Sequence, residues 1–417
     1  MFSRRLLLQH TLLSNFAWLT PLAERLACAD EKHSKGEPAQ SLILVWLAGG
    51  PSQLDTFDPH VGGKIGGLTQ AIDTRVKNVQ LAAGLPRVAE QLDVCTLVRN
   101  VVSKEGDHER GTITLKTGYS PESTIVHPSV GAILCHQLSD AGVEIPRHVS
   151  ILPDRFPGRG GFLGTQFDAF KSYDPRDKVP DVRARTSDER FARRVADSAV
   201  IEQAFAVGRA KIVESTQHRQ MIERARRMMS SEQLQAFEID REPLAVQSSY
   251  GDSPFGRACL AARRLTDVGV RCVEVTLSGW DTHANNFEGQ NEQTAILDPA
   301  LAALLADLRE RRQLDRTLVV CCGEFGRTPK VNPAGGRDHW PHGFSMLIAG
   351  GRFRRGLVHG QTDPSGEKVK FDEGTKVADL HATILKSLGI DGALELQSPI
   401  GRPIKLSEGR VIETLLV

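Results

Sequence analysis

Apolar residues gather along the chain in short, nearly unbroken runs separated by polar, glycine-rich stretches. Residues 41–48, SLILVWLA, and 318–322, LVVCC, are too short for helices and are apolar at successive positions, as expected of strands buried on both faces. Residues 94–98, 148–152, 270–277 and 344–349 repeat that pattern. Between these runs the apolar spacing becomes helical and predicts helices over 81–92, 130–139, 254–268, 294–312 and 377–388. Strand and helix in repeated alternation predict an α/β fold: a three-layer sandwich with a mostly parallel central sheet. Residues 153–180 are dominated by Gly, Pro, Arg and Asp, and two charged helices follow over 188–205 and 210–239. The expectation is one domain over 41–417 with a helical insertion at about 153–245.

The first residues do not belong to this pattern. Arg4 and Arg5 precede a moderately apolar stretch over 11–22, and Ala27-Cys28-Ala29 offers small residues for cleavage. Residues 1–29 read as a twin-arginine export signal, which predicts a periplasmic or cell-surface protein. Ser14, Asn15 and Pro21 interrupt the apolar stretch, so it does not make a permanent span. Six cysteines follow residue 29, with no CxxC pair to suggest structural zinc; most are expected to be buried small apolar side chains.

The 417 residues carry a net charge of +1, which gives no argument for nucleic acid as a partner. Chemistry instead collects at the predicted carboxyl ends of strands, where open α/β sheets bind ligands. Asp55 and Asp58 follow the first strand, and Asp281 and His283 follow residues 270–277. Glu324 and Arg327 follow residues 318–322, and Asp338, His339 and His342 precede the next strand. Several carboxylates brought together stay ionised only against compensating positive charge, and one or two divalent metal ions are the simplest source. Mixed carboxylate and imidazole donors favour zinc or manganese, with magnesium or calcium open if carboxylates dominate. His339 and His342 are spaced by three with Pro341 between them, which opposes the helical two-histidine motif of metallopeptidases.

Five stretches, GGPSQLDTFDP, GDHERGTITLKTGYSP, GWDTHANNF, GEFGRTPKVN and GRDHWPHG, together resemble the exported proteins grouped as domain of unknown function 1501. That group is distantly similar to the alkaline phosphatase and sulfatase superfamily. The resemblance implies metal ligands at Asp281, His283, Glu324, and His339 or His342; on the reading of the residues themselves Asp338 and both histidines join them. Where the superfamily has an aspartate after its first strand stand Gly49 and Gly50, so Asp55 or Asp58 substitutes or that ligand is missing. The superfamily's nucleophile lies ten residues before the Gly of a Thr-Gly pair; ten before Gly118 stands His108. His108 is therefore a ligand or a covalent acceptor, with Thr112 the nearest hydroxyl and a metal-activated water the other candidate. Arg110 or Arg327 would clamp an anion. The implied function is an exported metal-dependent hydrolase of phosphate or sulfate esters acting on an anionic small molecule or glycan ester. The alternative is a binding protein that kept the fold and lost turnover.

Overall fold

The computed structural model describes residues 37–62, 65–139, 142–209, 218–362 and 373–417. Residues 1–29, read above as an export signal, lie outside them. Residues Pro38–Val417 form one compact unit.

Nine strands make the central sheet: β1 (Ser41–Ala48), β2 (Cys95–Val102), β3 (His148–Ile151), β4 (Phe170–Ser172), β5 (Cys272–Ser278), β6 (Thr317–Cys322), β7 (Phe344–Ala349), β8 (Leu357–His359) and β9 (Thr375–Lys376). Their order across the sheet is β8-β2-β7-β6-β1-β5-β3-β4, with β9 pairing further along β2. Every pairing is parallel except those of β7, which runs against both β6 and β2. The reason lies in the connection. The 21 residues between Cys322 and Phe344 contain no helix to carry the chain back across the sheet, so the returning strand enters from the edge where β6 ended.

Helices α1 (Pro86–Gln91), α2 (His108–Thr117), α3 (Val130–Gln137), α4 (Asp188–Ala206), α5 (His218–Ser230), α6 (Pro254–Asp267), α7 (Asn286–Glu310) and α8 (Val377–Ser387) complete the fold. Strand alternation sorts the apolar residues into two cores. Ile43, Val45 and Leu47 of β1, with Val319 and Cys321 of β6, join residues of α1, α6 and α7. Leu42, Leu44 and Trp46, with Leu318, Val320 and Cys322, join residues of α2, α3 and α8. The apolar runs are continuous because both faces of these strands are covered. At about 1.5–3 kcal/mol for each large apolar side chain buried, the two cores supply most of the stabilisation.

Several joints are polar. The Asp298 carboxylate of α7 accepts from the main-chain amides of Arg87 and Val88 and so caps α1, whose own preceding residue, Leu85, offers no side-chain cap. Lys116 near the end of α2 donates to Glu274 of β5 at 3.1 Å and to the Phe156 carbonyl at 2.7 Å, and all but a few per cent of both charged side chains is buried. The six cysteines among the described residues are buried. Within those residues no helix is long and apolar enough to cross a membrane.

Candidate metal centre

β1 sits between β5 and β6, so the carboxyl ends of these three strands are adjacent. β1 leaves through Gly49, whose φ is +115° and whose added Cβ would stand 2.5 Å from the Asp281 amide nitrogen. Only glycine fits there, and the close approach brings the loop after β5 over the end of β1. The Gly49 amide donates to Glu324 Oε1 at 2.9 Å. At the end of β1 the edge is thus supplied with a main-chain donor.

Three imidazoles reach this edge from separate elements. His108 is the first residue of α2, behind an Asp107 cap; His283 follows β5; His339 lies in a two-residue strand paired antiparallel with Gly326–Arg327. In each ring Nδ1 meets an acceptor: Glu324 Oε1 at 2.6 Å for His108, Asp338 Oδ1 at 2.8 Å for His283, and the Gly106 carbonyl at 2.8 Å for His339. Carboxylates and carbonyls only accept, so each Nδ1 carries the proton, and each neutral ring presents a bare Nε2. All three Nε2 atoms converge on Asp281, at 3.3 Å for His108, 3.2 Å for His283 and 3.4 Å for His339. His283 Nε2 and His339 Nε2 are 3.0 Å apart. Two lone pairs at that distance repel unless a cation or a proton lies between them.

Charge gives the same answer. Asp281, Asp338 and Glu324 face the single guanidinium of Arg327, which donates to Asp281 at 2.5 Å. With neutral imidazoles the cluster carries two uncompensated negative charges, the complement of one divalent cation. Burial would raise the Asp281 carboxyl, but the hydrogen bond and the charge of Arg327 oppose it and help hold it below the usual carboxylate range. The bond to Glu324 raises His108 despite its burial, whereas burial lowers His339. Donors about 2.0–2.2 Å from a tetrahedral ion stand roughly 3.3–3.6 Å from one another, close to the separations of the three Nε2 atoms from the Asp281 carboxylate. One ligand atom each from His108, Asp281 and His339 lie within 4.8 Å of one another. Each histidine also has the outer acceptor that metal-bound imidazoles ordinarily use. The residues present fit a divalent ion.

The remaining predicted site residues stand elsewhere or in other roles. Glu324 and Asp338 lie behind histidines rather than among the converging atoms, and Glu324 is 2% exposed. Asp55 is not in the cluster: Ser52, Thr69 and Asn286 donate to its buried carboxylate and Arg337 lies 3.5 Å away, so it fastens loops together. His342 lies past Pro341, is exposed, and packs edge-on against Trp340 at 5.2 Å. Arg327 is fully buried and spends its donors on Asp281 and the carbonyls of Gly49, Gly50 and Arg337, which leaves it unable to clamp a substrate. Arg110 is folded onto Glu105 at 2.6 Å. Thr112 is buried inside α2, 3% exposed. Gly106 and Gly49 are the contributors that spacing arguments missed, because both act through main-chain atoms.

A family defined as proteins of unknown function, DUF1501, matches residues 39–416. The chain belongs to the DUF1501 family. No curated protein sequence matches it. In overall structure this DUF1501 chain is similar to an alkaline phosphatase superfamily protein from Vibrio parahaemolyticus, at TM-score 0.38 and 13% identity, covering 92% of this chain and 71% of that one. It is similar to the PsFucS1 sulfatase from Pseudoalteromonas sp., at TM-score 0.40 and 11% identity, covering 89% and 72%. It is also similar to the alkaline phosphatase from the Antarctic bacterium TAB5, at TM-score 0.38 and 13% identity, covering 86% and 100%. These likenesses transfer no residue roles to this chain.

Proposed function

We propose that the protein is an exported metal-dependent hydrolase of phosphate or sulfate esters. The observation that carries the proposal is the convergence of three Nε2 atoms on Asp281, each ring fixed from behind by an acceptor on Nδ1. His108, Asp281, His283 and His339 would hold the ion, and imidazole with carboxylate suits zinc or manganese. When bound, such an ion lowers the pKa of a coordinated water to about 7 and neutralises charge developing on an ester oxygen. Arg327 keeps Asp281 ionised from beneath. Asp338 and Glu324 fix the tautomers of His283 and His108. With Asp281 and His283 nearly half exposed, the cluster is open to solvent on its outer side. The paired arginines of the leader support export.

The test is elemental analysis of protein purified without chelator, with a screen of aryl phosphate and aryl sulfate esters. About one equivalent or more of zinc or manganese, and turnover lost in Asp281→Asn, are expected. Folded protein that neither holds nor takes up a divalent ion overturns the proposal. A second reading, metal binding without turnover, is favoured by the absence of a side-chain hydroxyl at the start of α2, where His108 stands. Stoichiometric metal with no hydrolysis of either ester class would select it.

A further inference from the structure

Burial alternates along the loop after β5: Trp280 and Thr282 are buried, while Asp281 and His283 are exposed. Packing alone does not hold the two exposed side chains. Arg327 and Asp338 fix their tips. The backbone between them is fixed by Thr282, whose every polar atom is used. Its amide donates to the Trp280 carbonyl at 3.0 Å, and its carbonyl accepts from the Arg337 amide at 3.0 Å. Its hydroxyl donates to Asn286 Oδ1 at 2.7 Å and accepts from Gln290 Nε2 at 3.0 Å. Asn286 and Gln290 stand one turn apart on α7, both buried and both bonded beyond Thr282, Asn286 to Asp55 at 2.8 Å and Gln290 to the Ser52 amide at 3.0 Å. The Thr282 methyl group lies against Gly289, where an added Cβ would stand 2.7 Å from Cγ2. Both branches of the side chain are thereby held.

Arg337 immediately precedes Asp338 and His339, so the Thr282 carbonyl ties the loop that carries His283 to the connection that carries His339. The 3.0 Å approach of the two Nε2 atoms is set across that joint. We infer that Thr282 is a positioning residue of the ion site: its hydroxyl, locked between Asn286 and Gln290, sets the backbone from which Asp281 and His283 reach the ion. Thr282 itself touches neither ion nor substrate. The inference rests on the proposed role of His108, Asp281, His283 and His339 as ion ligands.

The two branches of threonine separate this role from packing. Thr282→Val keeps the methyl group on Gly289 and removes the hydroxyl; Thr282→Ser keeps the hydroxyl and removes the methyl group. The readouts are calorimetric titration of metal-free protein with zinc and the visible absorption spectrum of protein loaded with cobalt(II). Thr282→Val should weaken zinc binding about 10- to 100-fold, as losing the bonds behind metal ligands ordinarily does, with the stoichiometry at saturation unchanged and the cobalt bands shifted. Thr282→Ser should lower the melting temperature yet stay within about threefold of the parent's zinc affinity, with the parent's cobalt spectrum. Gln290→Met, which withdraws the donor to the hydroxyl, should weaken zinc binding as the valine variant does and decides the matter if that variant does not fold. Zinc affinity within about threefold of the parent in the valine variant, or in Gln290→Met where it stands in, overturns the inference and leaves the ion site standing. Serine weakening zinc as much as valine does the same, because packing would then be the cause. A parent protein that takes up neither zinc nor cobalt overturns the ion site and the inference together.

Discussion

Replacing Glu274 by leucine strands a buried ammonium. Glu274 accepts from Lys116 at 3.1 Å and from the Gly158 amide at 3.0 Å, and His148 Nε2 lies 3.3 Å away. Lys116 keeps the Phe156 carbonyl, the more distant Asp154 carboxylate at 3.9 Å and the Trp46 ring 5.0 Å away when the Glu274 carboxylate is gone. Removing one member of a buried ion pair costs about 3–5 kcal/mol. The acid titration gives a second route to the size. Burial alone would push the Glu274 carboxyl up, but Lys116, His148 and the Gly158 amide bring it down from 4.5 to about 2. At about 1.4 kcal/mol per pH unit, that depression is worth about 3 kcal/mol, in agreement with the first figure. Because the folded value is the lower one, this stability is complete above pH 4.5 and is lost as the pH falls from there toward 2.

Urea unfolding at neutral pH, followed by tryptophan fluorescence, measures the effect. Glu274→Leu should lose about 3–5 kcal/mol, and Glu274→Leu combined with Lys116→Met should recover about 2–3 kcal/mol of that, because the double change removes the buried ammonium. A loss below about 1 kcal/mol, or a double variant no better than the sum of its parts, refutes the reasoning. Function is tied to the same pair. Lys116 closes the helix that His108 opens, roughly 12 Å along its axis, and Glu274 lies on the strand that leads to Asp281. Loosening that joint should also weaken divalent-ion retention.

Gly49→Ala should cost at least about 2 kcal/mol, read as a fall in melting temperature, because its Cβ would collide with the Asp281 amide and its φ is left-handed. Asp55→Ala should cost about 1–3 kcal/mol for its stranded donors while leaving divalent-ion stoichiometry unchanged by elemental analysis. Burial lowers His381 from 6.5 to about 4. The folded state thus favours the neutral ring, and about 3 kcal/mol should be lost as the pH falls from 6.5 to 4. His381→Leu should flatten that part of a stability profile measured by urea unfolding.

How much of this was legible in the sequence depended on where each signal resided. β1 and β6 could be read directly because both their faces are covered and the apolar run is continuous. β4, β8 and β9 have two or three residues each, and their strand character comes from the neighbour they pair with. α7 begins at Asn286, eight residues before the predicted start, because its first turns carry polar side chains that pack locally: Asn286 on Thr282 and Asp55, and Gln290 on the Ser52 amide. The site followed the same division. That Asp281, His283, Glu324 and His339 belong at one edge follows from strand order. That Asp55 turns toward Asn286 while His342 turns outward is fixed by partners more than two hundred residues away in one case and by the bend after Pro341 in the other. Nothing in the spacing of side chains announces the roles of the Gly49 amide and the Gly106 carbonyl.

The reversed direction of β7 has a consequence for how the molecule can change. Because the chain leaves β6 and re-enters the sheet on the same rim, one connection delivers Glu324 and Arg327 on the way out and Asp338 and His339 on the way back. A crossover helix would have taken the chain to the opposite rim between those two visits. The middle of the connection folds onto the loop after β5, where Asn332 donates to the His283 carbonyl and the Ala334 carbonyl accepts from the Asn285 amide, while both halves are held by the Gly326–Arg327 and His339–Trp340 pairing. A change of length there would therefore shift His283 on the neighbouring loop together with the two anchored halves.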